Sequence, residues 1–324
     1  MTLSGPTGPL NWTLKGIYDR QRNEFNEPSG WFASHDIHLL KTYGSEIQVT
    51  TTKGAHSLLL GGDFYRDRMN STANGKREQD RWSGFAQYEL KPIDWVTLLF
   101  GVRYDSHSDF DSETSPRAAA LLALSDSTQL RLSASKAFRA PTLNDRFWPA
   151  SAWTAGNPNL TPETAWEYEI GVDQKITDKS DISVAVFRRD ADDLIEWAET
   201  SPFFWTPSNV SKARIWGVEF EGNWQIHRLL RTGADYTYLH PKNETTDQFI
   251  VGKARHQAHL FIGVGPIKEA RLRLDGRYLC YYPEATRTDK SHIVLDASLT
   301  RPFVVNDNFE MQLDLSVKNL LDED

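Results

Sequence analysis

The sequence has one cysteine, Cys280, which excludes a disulfide framework and any cysteine-based zinc site. It has no apolar run long enough for a membrane-spanning helix, and its mean hydropathy is -0.53. Twenty glycines and 15 prolines in 324 residues are too few for a collagen-like or disordered chain. Basic residues are in the minority, 36 against 44 acidic, so the net charge of -8 argues against nucleic acid as a partner. The opening MTLSGPTGP has neither a basic nor an apolar signal region, which suggests a chain that starts internally. No GxSxG, glycine-rich phosphate loop or zinc-protease motif is found, so neither an enzyme nor a cofactor is expected. What is plentiful is aromatic side chains: 11 Trp, 11 Tyr and 16 Phe. Such residues favour strands, ligand surfaces and membrane interfaces.

Helical spacing is scarce and period-two alternation is common. In 309–318, Phe309, Met311, Leu313, Leu315 and Val317 alternate with Glu310, Gln312, Asp314, Ser316 and Lys318. In 270–282, Leu272, Leu274, Tyr278, Cys280 and Tyr282 alternate with Arg271, Arg273, Asp275 and Arg277. In 163–174, Trp166, Tyr168, Ile170 and Val172 alternate with Glu167, Glu169 and Asp173. Successive side chains of a strand point to opposite faces, so each such segment has one apolar and one wet face. The pattern predicts about fifteen strands, near 10–22, 34–52, 56–68, 81–91, 95–105, 115–125, 128–137, 163–174, 181–196, 212–226, 230–240, 254–264, 270–282, 292–301 and 309–318. Segment 34–52 is read as one strand through Gly44, because Ile37, Leu39, Ile47 and Val49 keep one parity.

Every second connection reads as long: 23–33, 69–80, 106–114, 138–162, 197–211, 241–253 and 283–291. An up-and-down meander with its long loops at one end gives this pattern. Strands of about ten residues suit a tilted membrane strand better than a soluble one, and short turns opposite long loops mark outer-membrane barrels. The charged faces would then line a polar lumen, since a charge in hydrocarbon costs roughly 2–4 kcal/mol at the midplane.

Four motifs stand in order along the chain. Ser135-Lys136-Ala137-Phe138-Arg139-Ala140-Pro141 precedes Gly156-Asn157-Pro158-Asn159-Leu160, with Pro162-Glu163, Glu169 and Gly171 after it. Lys212-Ala213-Arg214-Ile215-Trp216-Gly217-Val218-Glu219 and Val317-Lys318-Asn319-Leu320-Leu321-Asp322 follow. Together they resemble the TonB-dependent outer-membrane receptors. The resemblance implies an all-β, antiparallel up-and-down transmembrane β-barrel. This chain would be its C-terminal part, about 15 strands of a 22-stranded barrel and therefore incomplete. The plug domain and a final aromatic-ended strand would be absent, the end strands would lie parallel, and the barrel would stay open with exposed edges. The location implied is the outer membrane of a Gram-negative bacterium. The partners implied are outer-membrane lipid, the TonB-ExbB-ExbD energy-coupling complex (through the missing plug segment) and a scarce nutrient. Asp193-Leu194-Ile195 and Ala213-Arg214-Ile215 look most like the cobalamin receptors, with ferric siderophore second. A passive porin and a soluble, Trp-rich carbohydrate-binding protein are the alternatives.

Several residues are candidate site residues. Trp148, Trp153, Phe204 and Trp205 fall in the two longest loops, where they are candidates to stack on a ligand; an interfacial girdle is the plainer reading. Glu167, Glu169, Glu219, Glu221, Arg271, Arg273, Asp275 and Arg277 are expected on the lumen wall. The carboxylate pairs are successive positions on one strand, not residues facing each other across a glycosidase cleft. Asn157, Pro158, Pro162 and Glu163 are read first as folding residues of the barrel, with Glu163 capping a strand entry. His35/His38 and His256/His259 are poor metal pairs, because an i,i+3 spacing on a strand points to opposite faces. His107, His240 and His292 are the loop histidines that haem capture would need, though no haem motif flanks them.

Overall fold

Alternation becomes backbone pairing along nearly the whole chain. A computed structural model describes residues 1–27, 34–250, 252–281, 291–306 and 309–322. Tyr282, the side chain of Phe309 and much of the 23–33 and 283–291 connections lie outside the described residues. Seventeen strands form one antiparallel sheet. They are β1 (Thr2–Thr7), β2 (Leu10–Glu27), β3 (Ser34–Lys53), β4 (His56–Ser71), β5 (Gly75–Ile93), β6 (Val96–His107), β7 (Glu113–Ser125), β8 (Thr128–Arg139), β9 (Glu163–Thr177), β10 (Ser180–Ser201), β11 (Phe204–His227), β12 (Leu230–Asn243), β13 (Gln248–Phe249), β14 (Ala254–Ile267), β15 (Ala270–Tyr281), β16 (Ser291–Asn306) and β17 (Phe309–Val317). All fifteen predicted strands are present. The two additional ones, β1 and the two-residue β13, are too short or too poor in alternation to be read from sequence.

The chain divides into two compact units. The first comprises Met1–Ala120, Ser133–Glu167 and Asp190–Lys212, and contains a continuous ladder from β1 to β6. Register separates its faces cleanly. Trp12, Val49, Leu60, Ala86 and Val102 sit opposite one another in a row across five strands. Lys15, Glu46, Asp63, Ser83 and Asp105 form a row of the opposite parity. The polar row is bonded: Lys15 Nζ lies 3.0 Å from Glu46, Ser83 Oγ donates to Asp63 at 2.6 Å, and Arg103 bridges Asp63 and Asp105 at 3.0 and 2.8 Å. Gly44 keeps β3 unbroken because the Tyr65 ring covers it. A Cβ there would stand 2.5 Å from a ring carbon, and the Tyr65 hydroxyl donates to Glu46.

The second unit comprises Leu121–Leu132, Tyr168–Arg189 and Ala213–Asp324. Its ladder runs β11, β12, β14, β15, β16, β17. Leu230, Val264, Leu272, Leu299 and Leu315 form the apolar row. On the opposite parity His259 lies 2.8 Å from Asp235 and 3.0 Å from Asp275, Arg273 pairs with Asp275 at 2.8 Å, and Arg277 with Asp296 at 2.8 Å. A one-residue slip would place these charges among the leucines, so burial of one face in hydrocarbon would fix the register.

The long connections are a correction. β10 runs to Ser201 and β11 starts at Phe204, so most of 197–211 is strand, and Phe204 and Trp205 lie on β11 rather than in a loop. The β4–β5 hairpin likewise turns within residues 72–74. Backbone pairing continues past the point where alternation stops, because a hairpin wet on both faces has no need to segregate polar from apolar side chains. Among the described residues the longest connection, 140–162, holds one short helix, α1 (Leu143–Phe147), with a Thr142/Asp145 capping box.

Candidate functional site

At the long-connection end of the first unit, the motif residues form a staple. Arg139 Nε donates to Glu163 Oε2 at 2.7 Å, and a second guanidinium nitrogen donates to Oε1. Glu163 Oε1 also accepts the Ile195 backbone N–H at 2.7 Å. Glu163 therefore joins β8, β9 and β10 rather than capping its own strand. The neighbouring carboxylate pushes the Arg139 pKa up from its ordinary value. Asn209 donates to the carbonyls of Thr161 and Asp193 at 2.9 and 2.8 Å and accepts the Thr161 N–H at 3.0 Å. Asp193 has a φ of 58°, a left-handed conformation that Asp tolerates better than most residues, and the Asn209 bond helps hold it there. Asn157 Nδ2 donates to the carbonyl of the fully buried Pro207 at 3.0 Å, and its Oδ1 accepts the Asn159 N–H at 3.0 Å. Leu160 is 2% exposed and plugs the same region.

A second knot lies beneath α1. Arg146 is 6% exposed, donates to Asp109 Oδ2 at 3.0 Å, and donates to the carbonyls of Asp109 and Pro158 at 3.1 and 3.4 Å. Asn157 N–H reaches the Asp145 carbonyl at 2.9 Å and Gly156 N–H reaches that of Trp148 at 3.1 Å. A Cβ on Gly156 would lie 2.5 Å from the Trp148 nitrogen, so only glycine fits this approach. Asn209, Arg146 and Asp109 are not apparent from sequence. The available signal was polar residues beside Pro207 and Phe147 that break the alternation without supplying turn chemistry.

The aromatics come together in part. Trp153 and Trp205 are joined through the backbone: Trp205 N–H donates to the Trp153 carbonyl at 2.8 Å and Ala155 N–H to that of Trp205 at 3.2 Å. Trp148 meets Trp197 edge to face, with ring centroids 5.9 Å apart. Trp148 and Trp153, both substantially exposed, line a cavity of about 790 Å³ together with Phe25, Asp36, His38 and Asn74. Phe204 and Trp205 are not among its lining residues. Asp36 and His38 have the parity of Glu46 on β3, and Phe25 pairs with Asp36, so the cavity lies on the polar face. Ser71 Oγ accepts the N–H groups of Ala73 and Asn74 at 3.2 and 2.9 Å, so its hydroxyl proton is directed to His38 Nδ1 at 2.8 Å. Asn74 donates to Asn144 at 3.2 Å, tying the β4–β5 hairpin to α1.

Of the predicted wall residues, Glu169, Glu221, Arg273, Asp275 and Arg277 are bonded through their side chains. Arg131 pairs with Asp173 at 2.7 Å and with Glu169 at 3.5 Å. Glu219 stands opposite Thr237, Glu221 opposite Asp235, and Arg271 opposite Thr300, while Glu167 is also engaged in an interaction. No cluster able to hold a metal ion occurs among the described residues. His35 bonds Glu24 and His38 bonds Ser71, so that pair is split between faces. His107 stacks on Phe110 at 4.2 Å, and burial pushes its pKa below the ordinary imidazole value. His240 stacks on Trp216 at 5.1 Å, and His292 meets Tyr281 edge-on at 6.2 Å.

Continuous antiparallel ladders with one apolar and one charge-bonded face define a barrel-wall protein. The sequence matches the profile "TonB dependent receptor-like, beta-barrel" over residues 4–320, and the chain belongs to that family, whose barrels reside in the outer membrane. It is 26% identical over 97% of its length to a vitamin B12 transporter BtuB of Photobacterium profundum, of which it covers 50%. It is 31% identical over 62% of its length to a vitamin B12 transporter BtuB of Vibrio vulnificus, of which it covers 33%. The chain thus spans half or less of these relatives. Its fold is similar to the siderophore receptor PirA of Pseudomonas aeruginosa (TM-score 0.80, 20% identity, 98% of this chain and 57% of that one). It is also similar to a variant of the ferric enterobactin receptor PfeA of the same organism solved with enterobactin (TM-score 0.86, 16% identity, 98% and 56%).

Proposed function

We propose that this chain supplies barrel wall and mouth to an outer-membrane importer of cobalamin, driven through the TonB-ExbB-ExbD complex. The plug that the complex would act on lies outside these residues. The carrying observation is the cavity of about 790 Å³. Phe25, Trp148 and Trp153 form part of its walls, Asp36, His38 and Asn74 are among its polar groups, and no lysine or arginine lines it among the described residues. A ferric catecholate carries several negative charges and calls for cations. A corrin ring bearing carboxamides presents apolar faces for Trp148 and Trp153 and N–H donors for Asp36. The similarity to vitamin B12 transporters supports the same order, cobalamin first and ferric siderophore second.

The test is accumulation of labelled cyanocobalamin by cells that rely on this protein, with and without a functional TonB. Uptake that requires TonB, and that excess ferric enterobactin does not compete away, is expected. Uptake of ferric enterobactin alone would replace the substrate assignment, and TonB-independent uptake would replace the mechanism with a passive one.

The same reading turns the apolar rows to lipid and the charge-bonded rows to the lumen. Leu299→Arg should then lower folding stability in bilayers by about 2–4 kcal/mol, and Ser298→Arg, one residue away on the other face, by far less. Denaturant titration in liposomes measures both. Equal losses would overturn the sidedness.

A further inference from the structure

Capture at the mouth leaves a second cavity of the first unit unexplained. It measures about 610 Å³ and is lined by residues of β4 to β8. Phe85 pairs in register with Arg103 and Gln87 with Gly101, so these positions share the parity of the bonded row Glu46, Asp63, Ser83 and Asp105. The cavity therefore opens on the polar face. It also lies deeper than the tryptophan cavity: His38 and Glu46 share β3, and Glu46, in the Asp105 row, stands nearer the short turn that follows Lys53.

The cations of this cavity are not compensated alike. Arg103 is held by Asp63 and Asp105 at 3.0 and 2.8 Å, and Lys136 by Glu113 at 2.9 Å. Arg117 has no carboxylate partner among the described residues and donates to the neutral side-chain oxygen of Gln87. Its stem crosses Gly101, where a Cβ would stand 2.8 Å from Nε and 3.0 Å from Cγ, so the β6 backbone fixes where the guanidinium lies. A guanidinium has five N–H donors, and the bond to Gln87 leaves the others for solvent or a ligand. The hydroxyls of Ser115 and Ser135, which line the same cavity, meet no hydrogen-bond partner among the described residues. Phe85 lies under Arg103, 5.6 Å from its guanidinium carbon, because Gly61 has no Cβ to lift the ring off the wall.

We propose that this cavity takes the phosphodiester in the nucleotide tail of the imported corrinoid once the ligand has left the mouth. The proposal rests on the cobalamin reading and adds a second station to it. Charge decides the ligand class. A phosphodiester carries one negative charge, and Arg117 supplies one uncompensated positive charge. Arg103, already shared by two carboxylates, offers nothing to the further charges of a ferric catecholate. Arg117 donates charge-assisted hydrogen bonds to the phosphate oxygens, and Ser115 and Ser135 add hydroxyl donors. No lysine or arginine lines the tryptophan cavity among the described residues, so the anionic tail has no cation there. The two cavities thus divide the ligand, ring faces at the mouth and phosphate further in.

The test uses the full-length protein in cells that rely on it, with two labelled corrinoids. Cyanocobalamin has the phosphodiester; cobinamide keeps the corrin ring and its amides but ends before the phosphate. Arg117→Gln should slow energised uptake of cyanocobalamin about tenfold, change cobinamide uptake less than about twofold, and leave cyanocobalamin binding by de-energised cells unchanged. Arg117→Lys keeps the charge and should retain most of the rate. Heat-modifiable migration verifies that each variant is folded, and Ser115→Ala with Ser135→Ala, expected to slow cyanocobalamin uptake about threefold, carries the same comparison if Arg117→Gln is not. Equal slowing of both corrinoids would assign Arg117 to an acidic segment of the plug, and unchanged uptake of both would leave the cavity without a ligand; either result overturns the proposal. Failure of the unsubstituted protein to take up either corrinoid would instead remove the cobalamin reading on which it rests.

Discussion

Replacing Glu163 with alanine should loosen the mouth of the first unit while leaving its strands paired. The carboxylate holds Arg139 through two donors and the Ile195 N–H through a third. Removing it strands a half-exposed guanidinium, which water partly solvates, and a part-buried backbone N–H, for which water substitutes poorly. Charged hydrogen bonds of this kind contribute about 1.5–3 kcal/mol each, and an abandoned buried donor costs about 1–3 kcal/mol. The expected loss is about 3 kcal/mol, confined to the segment that Glu163, Asn209 and Asn157 pin down. Trypsin gives a local readout. Arg146 is 6% exposed in the native protein and should resist cleavage, whereas Glu163→Ala should be cut there while heat-modifiable migration persists. Glu163→Gln keeps one acceptor oxygen, able to take the Ile195 N–H, but turns an amide donor toward Arg139, and should fall between the two. Resistance of the alanine variant equal to that of the unsubstituted protein would mean that the Arg146 knot alone holds the mouth.

How much of this was readable beforehand depended on periodicity. Alternation at Leu272/Leu274 against Arg271/Arg273 gives the strand one apolar and one charged face, so strands and register were legible. Past Trp197 alternation lapses, and the same rule misread the β10–β11 hairpin as a loop containing Phe204 and Trp205. The motif residues Arg139, Asn157 and Glu163 were visible as motif, and Asn157 and Glu163 were read first as folding residues. Pro207, which Asn157 bonds, and Asn209, which bonds Thr161, were not visible, because nothing in linear spacing brings residues about 50 positions apart into hydrogen-bond range. The aromatic cavity was half legible. Trp148 and Trp153 could be singled out, but their neighbours Asp36 and His38 on β3 and Asn74 in the β4–β5 turn lie more than 70 residues away in sequence.

Those neighbours turn the tryptophan candidates into an ordered expectation. Trp148 and Trp153 line the cavity, while Trp205 is joined to Trp153 through its backbone. Trp148→Ala and Trp153→Ala should each weaken cyanocobalamin binding by roughly 0.5–1.5 kcal/mol, or about two- to tenfold, as stacking area is removed. The double substitution should approach the product of the two, up to about a hundredfold, if each ring contacts the ligand independently. Trp205→Ala keeps the backbone bonds to Trp153 and Ala155 and should change binding least. His38→Ala belongs in the same series. It removes a ring that lines the cavity, and it also leaves the Ser71 hydroxyl without its partner, so its loss should exceed that of His38→Gln, which restores a side-chain amide at similar reach. Isothermal calorimetry on folded protein separates these outcomes. A larger loss for Trp205→Ala than for Trp148→Ala or Trp153→Ala would move the ligand out of the cavity and onto the outer face of the β10–β11 hairpin. No change for any of the three would return them to the interfacial girdle, where aromatic rings serve the membrane rather than a ligand.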